Sequence, residues 1–477
     1  MTGIQGQRPS GTVQAARKRL GQPNDSFARD LRLPIETDGR PIVKTNHSPS
    51  QAGQATMTAL RVTAPPGPVL VDDPRGVVVS GCEPGSQVMV RTRTEIDNTT
   101  REATATFRAS RAGTVDTASD ASLAGTYTGA DPFGLWWSGE VIAPSASGIP
   151  SPVSASISVN AAGRTADAAI ERRWLAPGAT VTEVREPGVW GLFARPAGQG
   201  PFPAVIAFAG SSGGLGAAAA WVPVLASHGI AALAIAYFGV PGLPATLVRI
   251  DVEVVGRAAE WLLRRPDVAD RKVAVMGMSR GSELALLAAT MLDSIGPVVA
   301  FAPSGICWAG LGPHGPVGAP AWRFGGDDIP CAGMYPGGLP VPAVTSGSAI
   351  GLRPYFEAFL ADHAMISAAE IPVEQVKAPI LLVSGEADAM WPATEMAHIA
   401  EHRAAVRGFG DQLTHLRYQD AGHLCGGVPG TPVATEMRHP LTGQVYSLGG
   451  TAAANAHARA DSWPRVLQLL LTGRIAG

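Results

Sequence analysis

The sequence predicts an α/β fold, a mostly parallel sheet with helices on both faces, preceded by an all-β sandwich of immunoglobulin-like type. The first observation is a series of short alternating runs between Leu60 and Val159, such as QVMVRTRTEI and EATATFRAS, separated by turn residues. Short strands at this spacing are typical of an antiparallel sandwich. The second observation is a later series of apolar runs, among them FPAVIAF, GIAALAIAY and KVAVMG, with helical stretches between several of them. Strands that alternate with helices favour a parallel sheet.

These two sequence patterns also divide the chain into segments. With 477 residues, the chain is long enough for two or three domains. Its polar first part lacks sustained periodicity, so we predict that it is disordered, or untranslated if Met57 is the true start. The predicted segments are an N-terminal extension (1–56), the sandwich (57–165), a connector (166–184) and the α/β domain (185–477), with a Gly/Pro/Trp-rich, cap-like insertion at about 303–354.

Composition argues against several classes of partner and location. The formal net charge of −2 gives no basic surface for nucleic acid, and the hydrophobic fraction of 45% is normal for a globular protein. No apolar run reaches the roughly 18 residues of a membrane-spanning helix, and the N-terminus lacks the apolar stretch of a secretory signal. We therefore expect a cytoplasmic protein without a membrane span.

The four cysteines, Cys82, Cys307, Cys331 and Cys425, are widely scattered and form no C-x-x-C pair. This pattern argues against a zinc site or a redox pair, and we predict neither a metal nor a cofactor. We interpret the cysteines as reduced thiols, and a bridge between Cys307 and Cys331 is the alternative.

The strand-like run KVAVMG leads into Gly277-Met278-Ser279-Arg280-Gly281, which has the G-x-S-x-G pattern of a nucleophile elbow. In an elbow, a tight strand-to-helix turn presents the serine at its tip, and the helix N-terminus favours negative charge beside it. A plain turn is the alternative in a chain with 57 glycines. The order of helix, strand, turn and Ala/Leu-rich helix around the pattern favours the elbow.

A serine nucleophile needs a base and a carboxylate that orients the base, and in α/β-hydrolases these follow in the order Ser, Asp or Glu, then His. Asp388 follows the apolar run APILLVSG; Glu386 is its competitor, and a turn aspartate bonded to its own backbone is the alternative. His423 stands in the run HLRYQDAGHLCGG, with glycines near it. We therefore predict a catalytic triad of Ser279, Asp388 and His423.

The run VIAFAGSSGGLG supplies a loop that can donate backbone N–H groups to an oxyanion. It lacks the G-K-[ST] ending of a P-loop and the spaced glycines of a dinucleotide site. The predicted donors are the backbone N–H groups of Gly210, Ser211, Ser212 and Arg280. The Arg280 side chain either recognises a charged group at the mouth of the site or snorkels to water.

Six separated blocks resemble, in the same order, the C-terminal domain of type-I acyl-CoA thioesterases and bile acid-CoA:amino acid N-acyltransferases. They are FPAVIAFAGSSGG, GIAALAIAYFG, GMSRGSELAL, IPVEQVKAPILLVSGEADAMWPA, YQDAGHLCG and GGTAAANAHARADSWPRVL. The runs TAPPGPVLVDDPRGVVVSGCEPGSQVMVRTRT and DPFGLWWSGE are similar to that family's N-terminal sandwich, so the resemblance runs from about Leu60 to Leu471. It implies an α/β-hydrolase fold, a thioester substrate, commonly an acyl-CoA, and an acyl intermediate on Ser279 that water or an amine releases.

The second nucleophile separates the possible functions. The amino-acid-conjugating members of that family have a cysteine nucleophile, whereas the thioesterases have a serine. Ser279 therefore favours hydrolysis of an acyl-CoA to a free carboxylic acid and CoA. Transfer of the acyl group to an amino acid or another amine is the alternative, and hydrolysis of a carboxylic ester or lactone is a further one. A non-catalytic scaffold is disfavoured because all three predicted triad residues are present.

Two segments depart from the family pattern, and both lie where an acyl group would be recognised. In the insertion, Trp308, Trp322, Phe324 and Tyr335 are candidates for an acyl pocket, with a packed loop that binds no ligand as the alternative. The block after His423, CGGVPGTPVATEMRHPLTGQ, lacks the EPPY-like continuation of a mammalian-type member.

Overall fold

The computed structural model describes residues 58–96, 99–141, 153–269, 271–334 and 349–475. The prediction for residues 1–56 and the question of a start at Met57 lie outside these ranges. The described residues all belong to one compact unit, Met57–Gly477. None of the helices in these ranges combines the length and the apolar character that a membrane crossing requires.

The N-terminal part is built from β-strands. They are β1 (Arg61–Thr63), β2 (Val69–Leu70), β3 (Val78–Ser80), β4 (Gln87–Ile96), β5 (Thr99–Arg108), β6 (Thr114–Asp116), β7 (Ala124–Gly125), β8 (Glu140–Val141), β9 (Val153–Ala161) and β10 (Arg164–Arg173), with one short helix, α1 (Gly134–Trp137). In β9 the apolar side chains are buried and the serines between them are exposed. This alternation follows from the two-residue period of a strand, and it buries one face of the sheet.

The strands form two sheets around one apolar core. The smaller sheet has the order β1-β3-β6, and the larger has the order β2-β10-β9-β4-β5-β7 with β8 beside β5. Val79 and Val115 of the smaller sheet belong to the same buried cluster as Phe107 and Ile157 of the larger one. The described residues of this part therefore form mostly β-strands, and the immunoglobulin-like sandwich stays a prediction.

The end of the β-rich part differs from the predicted boundary. β10 pairs with β9 from Arg164 to Arg172, so this strand crosses the boundary at residue 165 and occupies part of the segment predicted as a connector. Its sequence, RTADAAIERR, is rich in polar residues and Ala, and only near its end do Ile170 and Arg172 face inward. Since few apolar residues mark its buried face, alternation did not reveal this strand.

The C-terminal part contains a large sheet and several small ones. Its strands are β11 (Thr180–Glu186), β12 (Val189–Arg195), β13 (Ala204–Phe208), β14 (Ala231–Ile235), β15 (Ile250–Asp251), β16 (Val273–Met278), β17 (Ile295–Phe301), β18 (Ala309–Gly312), β19 (Gly315–Pro320), β20 (Trp322–Phe324), β21 (Asp327–Asp328), β22 (Ile380–Gly385), β23 (Leu413–Tyr418), β24 (Glu436–Arg438) and β25 (Val445–Ser447). The eight-stranded sheet has the order β11-β12-β14-β13-β16-β17-β22-β23. β12 is antiparallel to both neighbours, and the strands from β14 to β23 run parallel.

Helices cover both faces of this sheet, which confirms the predicted α/β class. They are α2 (Ala218–Ser227), α3 (Glu253–Leu263), α4 (Arg280–Met291), α5 (Arg353–Leu360), α6 (His363–Ala369), α7 (Ala393–Val406) and α8 (Ala452–Thr472). Buried residues of α3, α4 and α7 share one apolar cluster, whereas those of α2 and α8 share another. Central strands such as β13 and β16 are buried on both faces, which explains their continuous apolar sequences.

The predicted insertion at 303–354 packs beside the carboxyl end of the large sheet. Its described residues form the β18–β19 hairpin and two strands of the small β15-β20-β21 sheet. Trp308 and Trp322 are among the largest fully buried side chains, so this part of the insertion is packed against the protein and is not an open loop. Tyr335 lies outside the described residues.

Candidate active site

The predicted elbow is a strained turn between β16 and α4. Ser279 has φ 56° and ψ −125°, a backbone conformation that non-glycine residues rarely adopt. A Cβ on Gly277 would lie 2.1 Å from the carbonyl oxygen of Gly281, and a Cβ on Gly281 would lie 2.3 Å from that of Ala209. Only glycine fits either position without movement of the backbone, so the two glycines allow the turn that presents Ser279.

Asp388 and His423 are in direct contact. Asp388 follows β22 and His423 follows β23, and His423 Nδ1 lies 2.7 Å from Asp388 Oδ2. Asp388 Oδ1 accepts the backbone N–H groups of Met390 (2.8 Å) and Trp391 (3.2 Å), so both oxygens of this buried carboxylate are bonded. The bond to Nδ1 leaves His423 Nε2 as the ring nitrogen that can exchange a proton with another group.

Ser279, Asp388 and His423 all lie at the carboxyl edge of the large sheet, because β16, β22 and β23 run in the same direction. Trp391 lies between His423 and the cavity that contains Ser279. Its ring packs edge-on against the His423 ring, with centroids 5.8 Å apart, and it lines the same cavity as Ser279. Among the described residues, Ser279 Oγ makes no hydrogen bond to His423. Bonds between a nucleophile and its base are often long before substrate binds.

Glu386, the competitor of Asp388, is exposed, and its backbone is held by Tyr418 and Arg353. No contact joins its carboxylate to His423 in the described part of the chain. The buried position and the bond to the imidazole distinguish Asp388 from it.

The loop after β13 lies directly against Ser279. A Cβ on Gly210 would be 3.1 Å from Ser279 Cβ and 3.6 Å from its Oγ. The hydroxyl of Tyr237 donates to the carbonyl oxygens of Ala209 (2.7 Å) and Gly210 (3.2 Å), which fixes the orientation of these two carbonyls. The Ser211 N–H, on the opposite side of the Gly210 peptide, has no acceptor among the described residues and is free to bind an anion.

The other predicted donors are placed differently. Arg280 begins α4, so its backbone N–H is one of the unpaired donors at the helix N-terminus. Ser211 lines the cavity that contains Ser279, whereas Ser212 does not. Ser212 lies close to Gly216 instead, because a Cβ on that glycine would be 3.3 Å from Ser212 Oγ.

The Arg280 side chain does not snorkel to water, which was one of its two predicted roles. It is buried, and its Nη2 donates to the carbonyl oxygens of Trp308 (2.9 Å) and Ala309 (3.1 Å), while its Nε lies 3.2 Å from Glu283. Glu283 also accepts the indole N–H of Trp322 at 2.6 Å. Burial raises the pKa of Glu283 to about 7. Arg280 therefore attaches the start of the insertion to the elbow helix.

The cavity above Ser279 is mostly apolar. Of the predicted acyl-pocket candidates, Trp308 lines this cavity. Trp322 is buried against Glu283 and Phe324 packs against the sheet core, so neither reaches the cavity. Among the described residues, the other aromatic side chains of this cavity, which sequence analysis missed, are Tyr355, Phe356, Trp391 and Tyr446. The signals for three of them were the aromatic helix RPYFEAFL and a tryptophan just after Asp388.

Sequence analysis also missed His439, which lies just after β24. Its side chain is buried, and its Nε2 lies 3.0 Å from Ser211 Oγ in the loop beside Ser279. The local sequence, MRHPLTG, reads as an ordinary turn, so nothing near His439 in the chain distinguishes it.

The fold is that of an α/β hydrolase. In chain order, the serine elbow follows the fifth strand of the large sheet, and Asp388 and His423 follow the seventh and the eighth. Residues 72–186 match the family description "Acyl-CoA thioester hydrolase/BAAT N-terminal region". Residues 250–310 and 350–472 match "BAAT / Acyl-CoA thioester hydrolase C terminal". The chain therefore belongs to the family of acyl-CoA thioester hydrolases and bile acid-CoA:amino acid N-acyltransferases, and it is an enzyme.

Relatives within this family align along most of the chain. The bile acid-CoA:amino acid N-acyltransferase of Mus musculus is 29% identical over 429 residues, which cover 86% of this chain and 97% of that protein. The peroxisomal succinyl-coenzyme A thioesterase of Mus musculus is 27% identical, covering 86% and 96%. Acyl-coenzyme A thioesterase 1 of Homo sapiens is also 27% identical, again covering 86% and 96%. The relatives thus include both thioesterases and acyltransferases.

Proposed function

We propose that this enzyme hydrolyses acyl-CoA thioesters through an acyl-serine intermediate, with Ser279 as nucleophile, His423 as general base and Asp388 as the carboxylate that orients it. The observation that carries the proposal is the buried Asp388–His423 bond at the same sheet edge as a strained elbow serine. A carboxylate bonded to Nδ1 keeps the proton on that nitrogen and leaves Nε2 free to accept the serine proton.

The reaction has two steps. Ser279 Oγ attacks the thioester carbonyl carbon while His423 takes its proton, and collapse of the tetrahedral intermediate releases the CoA thiol, which receives that proton. Water, activated by His423, then attacks the acyl-serine ester and releases the carboxylic acid. The N–H groups of Ser211 and Arg280 stabilise the oxyanion of both steps, and one such donor contributes about 3 kcal/mol.

The cavity above Ser279 holds the acyl group in this proposal. Its wall contains Trp308, Phe356 and Trp391, and the ring of Phe356 packs edge-on against the other two, with centroids 4.8 Å and 5.7 Å apart. The guanidinium of Arg280 is occupied by Glu283 and by two carbonyl oxygens. An apolar acyl group therefore fits this wall better than one that ends in a carboxylate.

The nucleophile favours hydrolysis over transfer to an amine. Burial raises the pKa of each of the four thiols above its ordinary value, which disfavours a thiolate nucleophile at neutral pH. Cys425, the thiol nearest to His423 in sequence, instead donates to the carbonyl oxygen of Val383 at 3.6 Å. A serine is thus left as the nucleophile, the residue type that the family's thioesterases use.

The β-rich part, which we propose to be an immunoglobulin-like sandwich, supports the loop that follows His423. The guanidinium of Arg172 in β10 donates to the carbonyl oxygen of Gly430 at 3.0 Å. It also lies over the ring of Trp136, 4.5 Å from the centroid. The bond to Gly430 connects the two parts in the loop that follows the proposed base.

Mass spectrometry of products tests the function. Purified wild type, Ser279→Ala and the matched control Ser156→Ala, an exposed serine of β9, are each incubated with a panel of acyl-CoAs, with and without glycine or taurine. We expect free CoA and carboxylic acid from wild type and the control, and none from Ser279→Ala. Amide product that appears only with the amine would assign acyl transfer instead. Turnover of simple esters with none of any thioester would assign ester hydrolysis.

A further inference from the structure

The side chain of His439 lies behind the loop proposed to hold the oxyanion. It is buried after β24, and its backbone is fixed by a turn in which the His439 N–H donates to Gln444 O (2.8 Å) and the Gly443 N–H donates to His439 O (2.8 Å). The ring packs edge-on against Tyr446, with centroids 5.8 Å apart. The imidazole is thus held in one place by both its backbone and its neighbour.

The two ring nitrogens of His439 have different partners. Nδ1 accepts the backbone N–H of Thr442 at 3.4 Å, which requires a lone pair on that nitrogen. The proton of the neutral ring is then on Nε2, which faces Ser211 Oγ at 3.0 Å. Burial lowers the pKa of His439, which agrees with a neutral ring.

This tautomer determines what the Ser211 hydroxyl can do. Because Nε2–H donates to Ser211 Oγ, the hydroxyl proton is not used by the histidine and points elsewhere. Among the described residues, His439 is the partner of that hydroxyl, and Ser211 lines the cavity together with Ser279. Its neighbour Gly210 is packed against Ser279, so the hydroxyl lies at the wall where the oxyanion would form.

We propose that the Ser211 hydroxyl is an additional hydrogen-bond donor to the oxyanion, and that His439 is a positioning residue that turns the hydroxyl proton toward it. The inference rests on the proposed function, since it assigns a role within the same acyl transfer to Ser279. It adds a side-chain donor to the backbone N–H groups of Ser211 and Arg280.

The hairpin of β24 and β25 connects this donor with the proposed base. The carbonyl oxygen of Leu448, directly after β25, accepts the backbone N–H of His423 at 2.8 Å, while His439 at the other strand contacts Ser211. One short hairpin therefore contacts the backbone of His423 through Leu448 and the side chain of Ser211 through His439. His439 lies in the block CGGVPGTPVATEMRHPLTGQ, which departs from the mammalian-type pattern, so this arrangement gives that block a role at the proposed site.

Steady-state kinetics with an acyl-CoA that the wild type hydrolyses test this inference. The variants are Ser211→Ala, His439→Met, their double variant, and His439→Gln, whose side-chain amide keeps an N–H near the position of Nε2. We expect Ser211→Ala and His439→Met to lower kcat about 10- to 100-fold, at or below the lower end of the range for loss of one oxyanion donor, with KM nearly unchanged. The double variant should be no slower than the slower single variant, and His439→Gln should recover most of the wild-type kcat.

Two results would overturn the inference. One is wild-type kcat in either Ser211→Ala or His439→Met. The other is a double variant whose loss equals the product of the two single losses, because independent effects would mean that His439 does not act through Ser211. Ser279→Ala is measured in the same series: if it retains turnover, the proposed function itself fails, whereas an inactive Ser279→Ala beside a fully active Ser211→Ala overturns only the inference.

Discussion

Single residues decide the chemistry proposed for this site, and Asp388 shows how burial does so. Its two oxygens are bonded to His423 and to two backbone N–H groups, whereas the carboxylate of Glu386, two residues earlier, is exposed. Sequence patterns place both acids after the same strand. Only the three-dimensional structure separates them.

Exchange of each acid for its amide distinguishes their roles. We expect Asp388→Asn to lower kcat by about 10⁴-fold, because an amide holds the wrong tautomer of His423, the proposed base. Glu386→Gln, the matched control, should stay within a factor of about two of wild type, as is usual for surface substitutions. The measurement is kcat for an acyl-CoA substrate, and a large loss in Glu386→Gln would contradict the assignment of Asp388.

The elbow glycines give a prediction about stability. A Cβ on Gly277 or Gly281 would lie within 2.3 Å of a backbone carbonyl oxygen, and a backbone atom cannot move aside as a side chain can. We expect Gly281→Ala to lower the free energy of unfolding by at least about 2 kcal/mol, as overpacking does. Gly256→Ala in α3, where the nearest atoms are 3.6 Å away, should instead raise it by about 0.5–1 kcal/mol. Urea unfolding of both variants provides the test, and equal stabilities would contradict it.

At the scale of elements, short segments around the large sheet form the cavity. The first part of the predicted insertion supplies Trp308, and helix α5 supplies Phe356, whose ring contacts both Trp308 and Trp391. α5 begins where the insertion ends in sequence, yet its aromatic side chains pack against the first part of that insertion. The proposed acyl pocket is therefore assembled from segments far apart in the chain.

Shortening Phe356 should weaken binding more than chemistry. We expect Phe356→Ala to raise KM for an apolar acyl-CoA about 10-fold, because the smaller side chain buries less of the acyl group's apolar surface, while kcat changes less. Phe356→Leu, which keeps an apolar side chain, should stay close to wild type. Steady-state kinetics of the two variants separate KM from kcat. A 10-fold loss of kcat in Phe356→Ala at unchanged KM would argue that α5 acts on the transition state and not on acyl binding.

The elements that sequence analysis recovered are those with strong local signals. The apolar strands of the large sheet, the serine elbow and the runs that precede Asp388 and His423 all carry a pattern within about ten residues, the scale of one element. β10 carries a weak pattern, because alanine and charged residues occupy much of it. The contacts of Arg280, Phe356 and His439 join distant segments. The aromatic run RPYFEAFL was a signal for Phe356, whereas nothing in the sequence near Arg280 or His439 indicates their contacts.

At the scale of the whole molecule, buried polar contacts join the β-rich part to the C-terminal part, which carries the proposed active site and is called the catalytic part below. Asp72, just after β2, is bonded to His228 Nε2 at 2.6 Å and to the indole N–H of Trp463 at 2.9 Å. His228 ends α2 and Trp463 belongs to α8, so one buried carboxylate contacts two helices of the catalytic part.

This contact predicts a dependence of stability on pH. The hydrogen bond to Asp72 raises the pKa of His228 above its ordinary value. The contact therefore stabilises the folded protein fully at pH values below the pKa of this histidine in the unfolded chain, near 6.5. The stabilisation is lost as the pH rises through the higher pKa that His228 has in the folded protein. The partly exposed ring is screened by solvent, so the contribution is at most about 1 kcal/mol.

Unfolding in urea at pH 5.5 and pH 8.5 tests that direction. The stability difference between wild type and His228→Gln should be larger at the lower pH. His402→Gln, at an exposed position of α7, is the control, and it should leave the pH dependence as in wild type. A difference for His228→Gln that is the same at both pH values would contradict a proton-linked contact.

Arg172 limits how members of this family can be recombined. Its guanidinium, whose pKa burial lowers to about 9, belongs to the last strand of the β-rich part but bonds to Gly430, in the loop that carries on from His423. A chimera that grafts a foreign β-rich part onto this catalytic part needs an arginine at the same register. Without it, the buried Gly430 carbonyl loses its guanidinium donor, and the loop that follows the proposed base loses this contact even though the graft leaves Ser279, Asp388 and His423 in place.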